Sequence, residues 1–262
     1  MATQKKAANG KDLDFIRRII TKHKRHDFMF ASLGTLVIAS LTITLLVLFL
    51  DLVIEGYPRF NLDFFSNFPS RRAARAGILS AWIGSSLVLL VTFFVAVPLG
   101  ISAGVYLEEY AKKNWFSDLI EINVSNLAGV PSIIYGLLAL GLFVYSFGLG
   151  QSILTAGLTL ALLMLPIVIV STREAIRAIP VHIREAAYAV GATKWQVCHN
   201  HVIQYSYGGI LTGVIIGMAR AIGETAPVIT IGALTFIAFL PPSPIGLEPP
   251  FINFEWLNSG FT

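Results

Sequence analysis

Five apolar runs dominate the chain, near residues 28 to 53, 78 to 107, 122 to 147, 152 to 172 and 206 to 239. Each is long enough to cross a hydrocarbon core about 30 Å thick, which takes roughly 20 helical residues. The pattern predicts an all-α polytopic membrane protein with five spans. Glycine and proline interrupt several runs, as at Val97-Pro98-Leu99-Gly100 and Gly129-Val130-Pro131. A helix bundle tolerates such breaks, so kinked spans are expected there.

The polar remainder divides the chain into an N-terminal segment, 1–27, a membrane domain, 28–240, with a loop at 173–204 inside it, and a C-terminal segment, 241–262. Basic residues orient this arrangement. Eight precede the first run, two lie in 108 to 118 and four in 173 to 200, whereas the loop at 54 to 77 carries only Arg59, Arg71, Arg72 and Arg75. The excess marks the cytoplasmic side, which predicts a multi-pass membrane protein with its N terminus inside. With five spans the 241–262 segment is then external. The basic start leads into an apolar run too long for a signal-peptide core and without a small-residue cleavage site, so the first span is expected to stay as an anchor. Were residues 11 to 26 helical, Phe15, Ile16, Ile19 and Ile20 would share one side among basic residues. An interfacial helix on anionic lipid and a disordered basic tail are equally compatible with this. His23 and His26 receive no site.

Composition agrees with the pattern. Aliphatic, aromatic and cysteine residues make up 55% of the 262, charged residues 13%, and the mean hydropathy is +0.72, far from the balance of a water-soluble domain. The net charge of +4 lies beside the spans and reports topology rather than nucleic-acid binding. Cys198, the single cysteine, cannot form an internal disulfide and is read as a buried thiol. The chain has neither a phosphate-cradling glycine loop with its lysine nor a nucleophile–base constellation, so it is not an enzyme by itself. No cofactor is expected in this chain.

The loop before the fifth run carries organised chemistry. Pro180 suits a helix start, Gly191 a left-handed stop, and Thr193 with Gln196 has capping-box spacing. A short helix, a break and a second helix running into the fifth span are predicted. Val181, Ile183, Ala186, Ala187 and Tyr188 make the first helix part-apolar, so it needs a soluble partner or the lipid surface to cover it. His199 and His201 sit on different faces, which suits packing rather than metal binding. Arg173 and Glu174, at the inner end of the fourth span, are placed for snorkelling to the interface.

In the fifth run, Gly217-Met218-Ala219-Arg220-Ala221-Ile222-Gly223-Glu224-Thr225-Ala226-Pro227 holds two ionisable groups within an apolar segment. A lone mid-helix charge costs about 2.5 to 3.5 kcal/mol on insertion scales, so these groups should face the bundle or water. Their four-residue spacing lets them pair on one face. Two roles stand open: a buried lock between helices, or a gated contact in which the guanidinium fork meets an oxyanion and the carboxylate holds the fork.

Two of these segments and a third carry a family resemblance. Glu185-Ala186-Ala187, three residues and then Gly191 resembles the EAA coupling loop of ABC importer permeases, although His201-Val202-Ile203-Gln204 replaces the usual hydrophobic-x-Leu-Pro element. Arg220-Ala-Ile-Gly-Glu224-Thr225-Ala226-Pro227 and Ala128-Gly129-Val130-Pro131-Ser132-Ile133-Ile134-Tyr135-Gly136 resemble phosphate importer permeases, especially the A subunit of the Pst system. The resemblance implies a type I ABC importer permease bundle that moves inorganic phosphate. It implies Arg220, Glu224 and Thr225 in the substrate path or gate, and Glu185, Ala186, Ala187 and Gly191 in ATPase coupling. Its partners would be a second homologous permease, a homodimeric ATPase that binds ATP and Mg, and an external phosphate-binding protein. A sixth helix is also implied after the outer loop. The chain stops at Phe261-Thr262, so either the sequence is truncated or this subunit lacks that span. The residues alone leave other oxyanions, sulfate or molybdate, open, together with an ATPase-independent anion channel or transporter.

Overall fold

The computed structural model describes residues 2–72, 75–112, 114–232, 239–245 and 252–260, apart from the side chains of 2–23 and 25. The chain divides into two compact units, Met1–Leu62 and Asp63–Thr262. In the first, α1 (Ala2–Gly56) is one helix of 55 residues that carries the N-terminal segment into the first span. The backbone at 11 to 26 is thus helical and continuous with the span. The amphipathic face expected there, and His23, lie outside the described side chains. Along the span the hydroxyls of Thr35, Thr42 and Thr44 donate to carbonyls four residues back, at 2.8 to 2.9 Å, which satisfies them without water. Pro58 follows in a 3₁₀ turn, Tyr57–Arg59.

The second unit is a helical bundle built around α6 (Ile153–Arg177), with α3 (Leu79–Val105) and α9 (Ile203–Gly223) packed along it. Before α3, the short α2 (Leu62–Ser66) is tied to it where Trp82 Nε1 donates to Phe65 O at 3.1 Å. Small residues set the helix spacing. A Cβ on Gly157 would meet Val91 Cβ at 2.5 Å, and one on Gly104 would meet Thr172 Cβ at 2.7 Å, so α3 and α6 approach where side chains are missing. Three buried clusters follow one another along α6, around Leu87, Ile153 and Trp256, then Met164 and Val214, then Ile176 and Val202. The C-terminal turn Glu255–Asn258 buries Trp256 there, and Ile153 N donates to Ser259 O at 3.0 Å.

Among the described residues, four helical stretches are long and apolar enough to cross a membrane: His26–Arg59, Leu79–Tyr110, Ile153–Arg177 and Lys194–Gly223. A fifth exists if a bent pair counts as one. That pair is α4 (Trp115–Leu127) and α5 (Ser132–Ala139), the latter extended by a π-turn, Leu140–Ser146, and the bend between them is 104°. The run expected at 122 to 147 is therefore a sharp corner, made where Pro131 can donate no backbone hydrogen bond. The run expected at 206 to 239 also differs from a single span. Its helix stops at Gly223, Glu224 is extended, and a short α10 (Ala226–Ile231) ends at Gly232 in the left-handed region, φ 102°. Residues 233–238 of that run lie outside the described residues.

The loop at 178–202 has the predicted form. Here α7 (Val181–Ala189) ends before Gly191, φ 85°, and Thr193 caps α8 (Lys194–Val197) in a reciprocal capping box with Gln196. A π-turn, Cys198–Val202, then leads into α9 without a break. At the positions where the family's proline element is replaced, helix continues.

Candidate functional site

The helix end at Gly223 brings the charged pair to a break. Arg220, in the last turn of α9, sits where a cation is favoured by the helix dipole, and its Nε donates to Glu224 Oε1 at 3.4 Å. The side chains are 41% and 20% exposed in this chain, so the pair lies at an open helix end rather than deep in a continuous span. Glu224 and Thr225 line a mainly apolar cavity of about 310 Å³ with Ser85, Val88 and Leu160, and Arg220 is not among its lining residues.

Two segments distant in sequence meet beside this break. Gly136 of α5 lies against Pro227 and Thr230 of α10, where an added Cβ would come within 2.7 Å of Pro227 Cα. Tyr135 is buried, and its hydroxyl donates to Leu127 O at 2.8 Å across the 104° corner. The corner thereby positions the glycine that accepts the helix break. Residues 128–136 and 220–227, both singled out in the sequence, are thus built into one structure.

The residues of the loop lie at the far end of the same helical stretch. Lys194–Gly223 contains 30 residues, which span about 45 Å. On α7, Ala187 is buried against Ile176, Val197 and Val202, while Glu185 and Ala186 are both exposed. Val181, Tyr188, Val190 and Trp195 present apolar surface around them, Val190 at 85% exposure and Trp195 at 67%. His199 stacks on Trp195 with centroids 5.8 Å apart, and Cys198 is buried as a free thiol.

Arg173 does not snorkel. Its residue is 5% exposed, and its Nη2 contacts Glu121 Oε2 at 2.6 Å while Nε faces Glu108 Oε2 at 3.4 Å. Arg177 Nε also donates to Glu108 Oε2, at 2.9 Å, and its Nη2 to Glu121 Oε1, at 3.1 Å. Glu174 is the most exposed of these side chains, at 64%, and pairs with Arg177 at 3.4 Å. Arg184 holds Glu109 Oε1 at 2.9 Å and donates to Ile176 O at 3.0 Å. These groups carry no sequence signal, because the Arg177–Glu108 and Arg184–Glu109 partners stand 69 and 75 residues apart.

Helices packed at glycines, a sharp corner inside an apolar run and a loop continuous with a long apolar helix are features of a multi-pass membrane protein, and comparison with known proteins gives its kind. Residues 96–246 match the family described as binding-protein-dependent transport system inner membrane component. The chain belongs to this family of multi-pass inner-membrane permeases, with the type I ABC importer permease bundle. It is 33% identical over 210 residues to the probable ABC transporter permease protein YqgI of Bacillus subtilis, covering 80% of this chain and 67% of that protein. It is 36% identical over 182 residues to the phosphate transport system permease protein PstA of Yersinia pestis, covering 68% of this chain and 60% of the relative. With PstA of Mycobacterium leprae the identity is 41% over 155 residues, 59% of this chain and 51% of the relative. The chain therefore spans between about half and two thirds of the length of these curated relatives.

Proposed function

We propose that this chain is the membrane permease subunit of an ATP-driven importer of inorganic phosphate. The observation that carries the reading is the Arg220–Glu224 pair at a helix break, in a chain similar to several phosphate transport permeases. The pair has one contact at 3.4 Å, at the long end of the hydrogen-bond range, so it is loosely held. A phosphate offering two oxygens to the guanidinium fork can displace such a carboxylate. Glu224 then swings away from Arg220 and closes the path again when the anion leaves. Thr225, next to it on the break, supplies a hydroxyl to the same passage.

In this reading α7 docks on a partner ATPase through Val181, Tyr188 and Val190, with Glu185 and Ala186 at the contact and Gly191 turning the chain back. ATP and Mg are held by that homodimeric partner. A second homologous permease completes the pathway, and an external binding protein delivers phosphate. The fourteen basic residues on one side of the spans support a cytoplasmic N terminus and a cytoplasmic loop.

The test compares wild type with Arg220→Gln in vesicles carrying the assembled transporter at matched subunit levels. Loss of one charge-assisted contact worth about 1.5 to 3 kcal/mol predicts a fall in phosphate uptake of at least about tenfold. Normal uptake by the variant would make the pair structural.

A further inference from the structure

The most heavily bonded charged groups described in the second unit lie away from Arg220, where α3, α4, α6 and α7 converge. Beyond α3 the chain makes a π-turn, Tyr106–Tyr110, closed by Ala111 N donating to Tyr106 O at 2.8 Å. Its two glutamates serve different partners. Glu109, 10% exposed, accepts from Arg184 Nε and Nη2 of α7 at 3.1 and 2.9 Å. Glu108 accepts from Arg177 and faces Arg173, both on α6, and both arginines also hold Glu121 of α4. Arg184 additionally donates to the carbonyls of Ile176 and Ile179, at 3.0 and 3.2 Å, at the end of α6 where helix carbonyls lack partners.

We infer that the Arg184–Glu109 pair is the joint through which movement of α7 reaches the end of α3, and that Arg173 and Arg177 carry it on to α4. This rests on the reading of α7 as the ATPase-docking helix. Breaking one partner of a part-buried pair leaves a charge stranded, so the ends of these helices move together rather than separately. Glu109 lies in the π-turn that continues α3 without a break, so the pair acts directly on that helix end. From α4 the path continues through the 104° corner to α5, whose Gly136 abuts Pro227 beside Glu224. Glu109 and Arg184 are positioning residues, since neither lies at the candidate gate.

The test is a double-mutant cycle in the complete transporter with Arg184→Gln, Glu109→Gln and the two together. ATP hydrolysed per phosphate imported should rise about fivefold to tenfold in each single variant, while the amount of ATPase that copurifies stays at the wild-type level. The double variant should be no worse than the more impaired single one, as for groups that act as a unit. Wild-type stoichiometry in both singles, effects that multiply in the double, or loss of the ATPase from the complex would each overturn the joint. A second readout needs neither phosphate nor the Arg184 variant. The thiol introduced on α4 by Ser117→Cys should change its maleimide labelling rate when ATP is added, and Glu109→Gln should abolish that change. Persistence of the ATP response in Glu109→Gln sinks the inference, whereas a wild type that labels as expected but imports no phosphate sinks only the substrate reading.

Discussion

Arg220 and Glu224 stand four residues apart in an apolar run, a spacing that would put them on one helical face, and they do pair, at 3.4 Å, although Glu224 lies in extended backbone just past the helix end. Their surroundings are less legible in the sequence, because the segment that packs on the residues just past the helix end lies far away in the chain. Pro227 and Thr230 pack on Gly136, about 90 residues earlier in the chain, and no local spacing announces that contact. The same holds for Arg173, which looks like an interfacial arginine until Glu108 and Glu121 are brought to it. The Gly136 contact makes a prediction at this scale. Overpacking of a tight site costs about 1 to 3 kcal/mol, so Gly136→Val should lower the melting temperature of the purified complex, and more than Gly136→Ala. Equal melting temperatures for all three proteins would remove the interlock.

Among the elements, the loop between α6 and α9 is the most readable, since each of its turns is written in local chemistry. Gly191 adopts φ 85°, and Thr193 and Gln196 form the reciprocal capping box that their spacing predicts. Replacing a capping threonine by alanine costs about 1 kcal/mol. Thr193→Ala should therefore speed amide hydrogen exchange through Lys194–Val197, with Thr193→Ser close to wild type. Unchanged exchange in the alanine variant would show that tertiary packing alone holds this helix start. Periodicity fails where the chain turns within an apolar region. Apolar residues flank both the corner at 128–131 and the break at 224–225, so composition reads each as one span while Pro131 and Pro227 set the actual limits.

The whole molecule presents surfaces that make sense only in company. In the described part of α1 the apolar side chains are exposed, as are Val181, Val190 and Trp195 at the loop. Lipid or a companion subunit covers the first kind, and the docking reading assigns the second to an ATPase. The chain belongs to the binding-protein-dependent inner membrane component family, and the proposed reading assigns the ATP that would drive it to a partner subunit. The central claim is that the assembled transporter moves phosphate at the expense of ATP. Its most direct test is uptake of labelled phosphate by proteoliposomes holding the complete complex, with ATP and without it, and with sulfate as competitor. Uptake should require ATP and ignore sulfate at about a hundredfold excess, a discrimination of roughly 3 kcal/mol. Uptake that proceeds without ATP, or that sulfate abolishes, would contradict the claim.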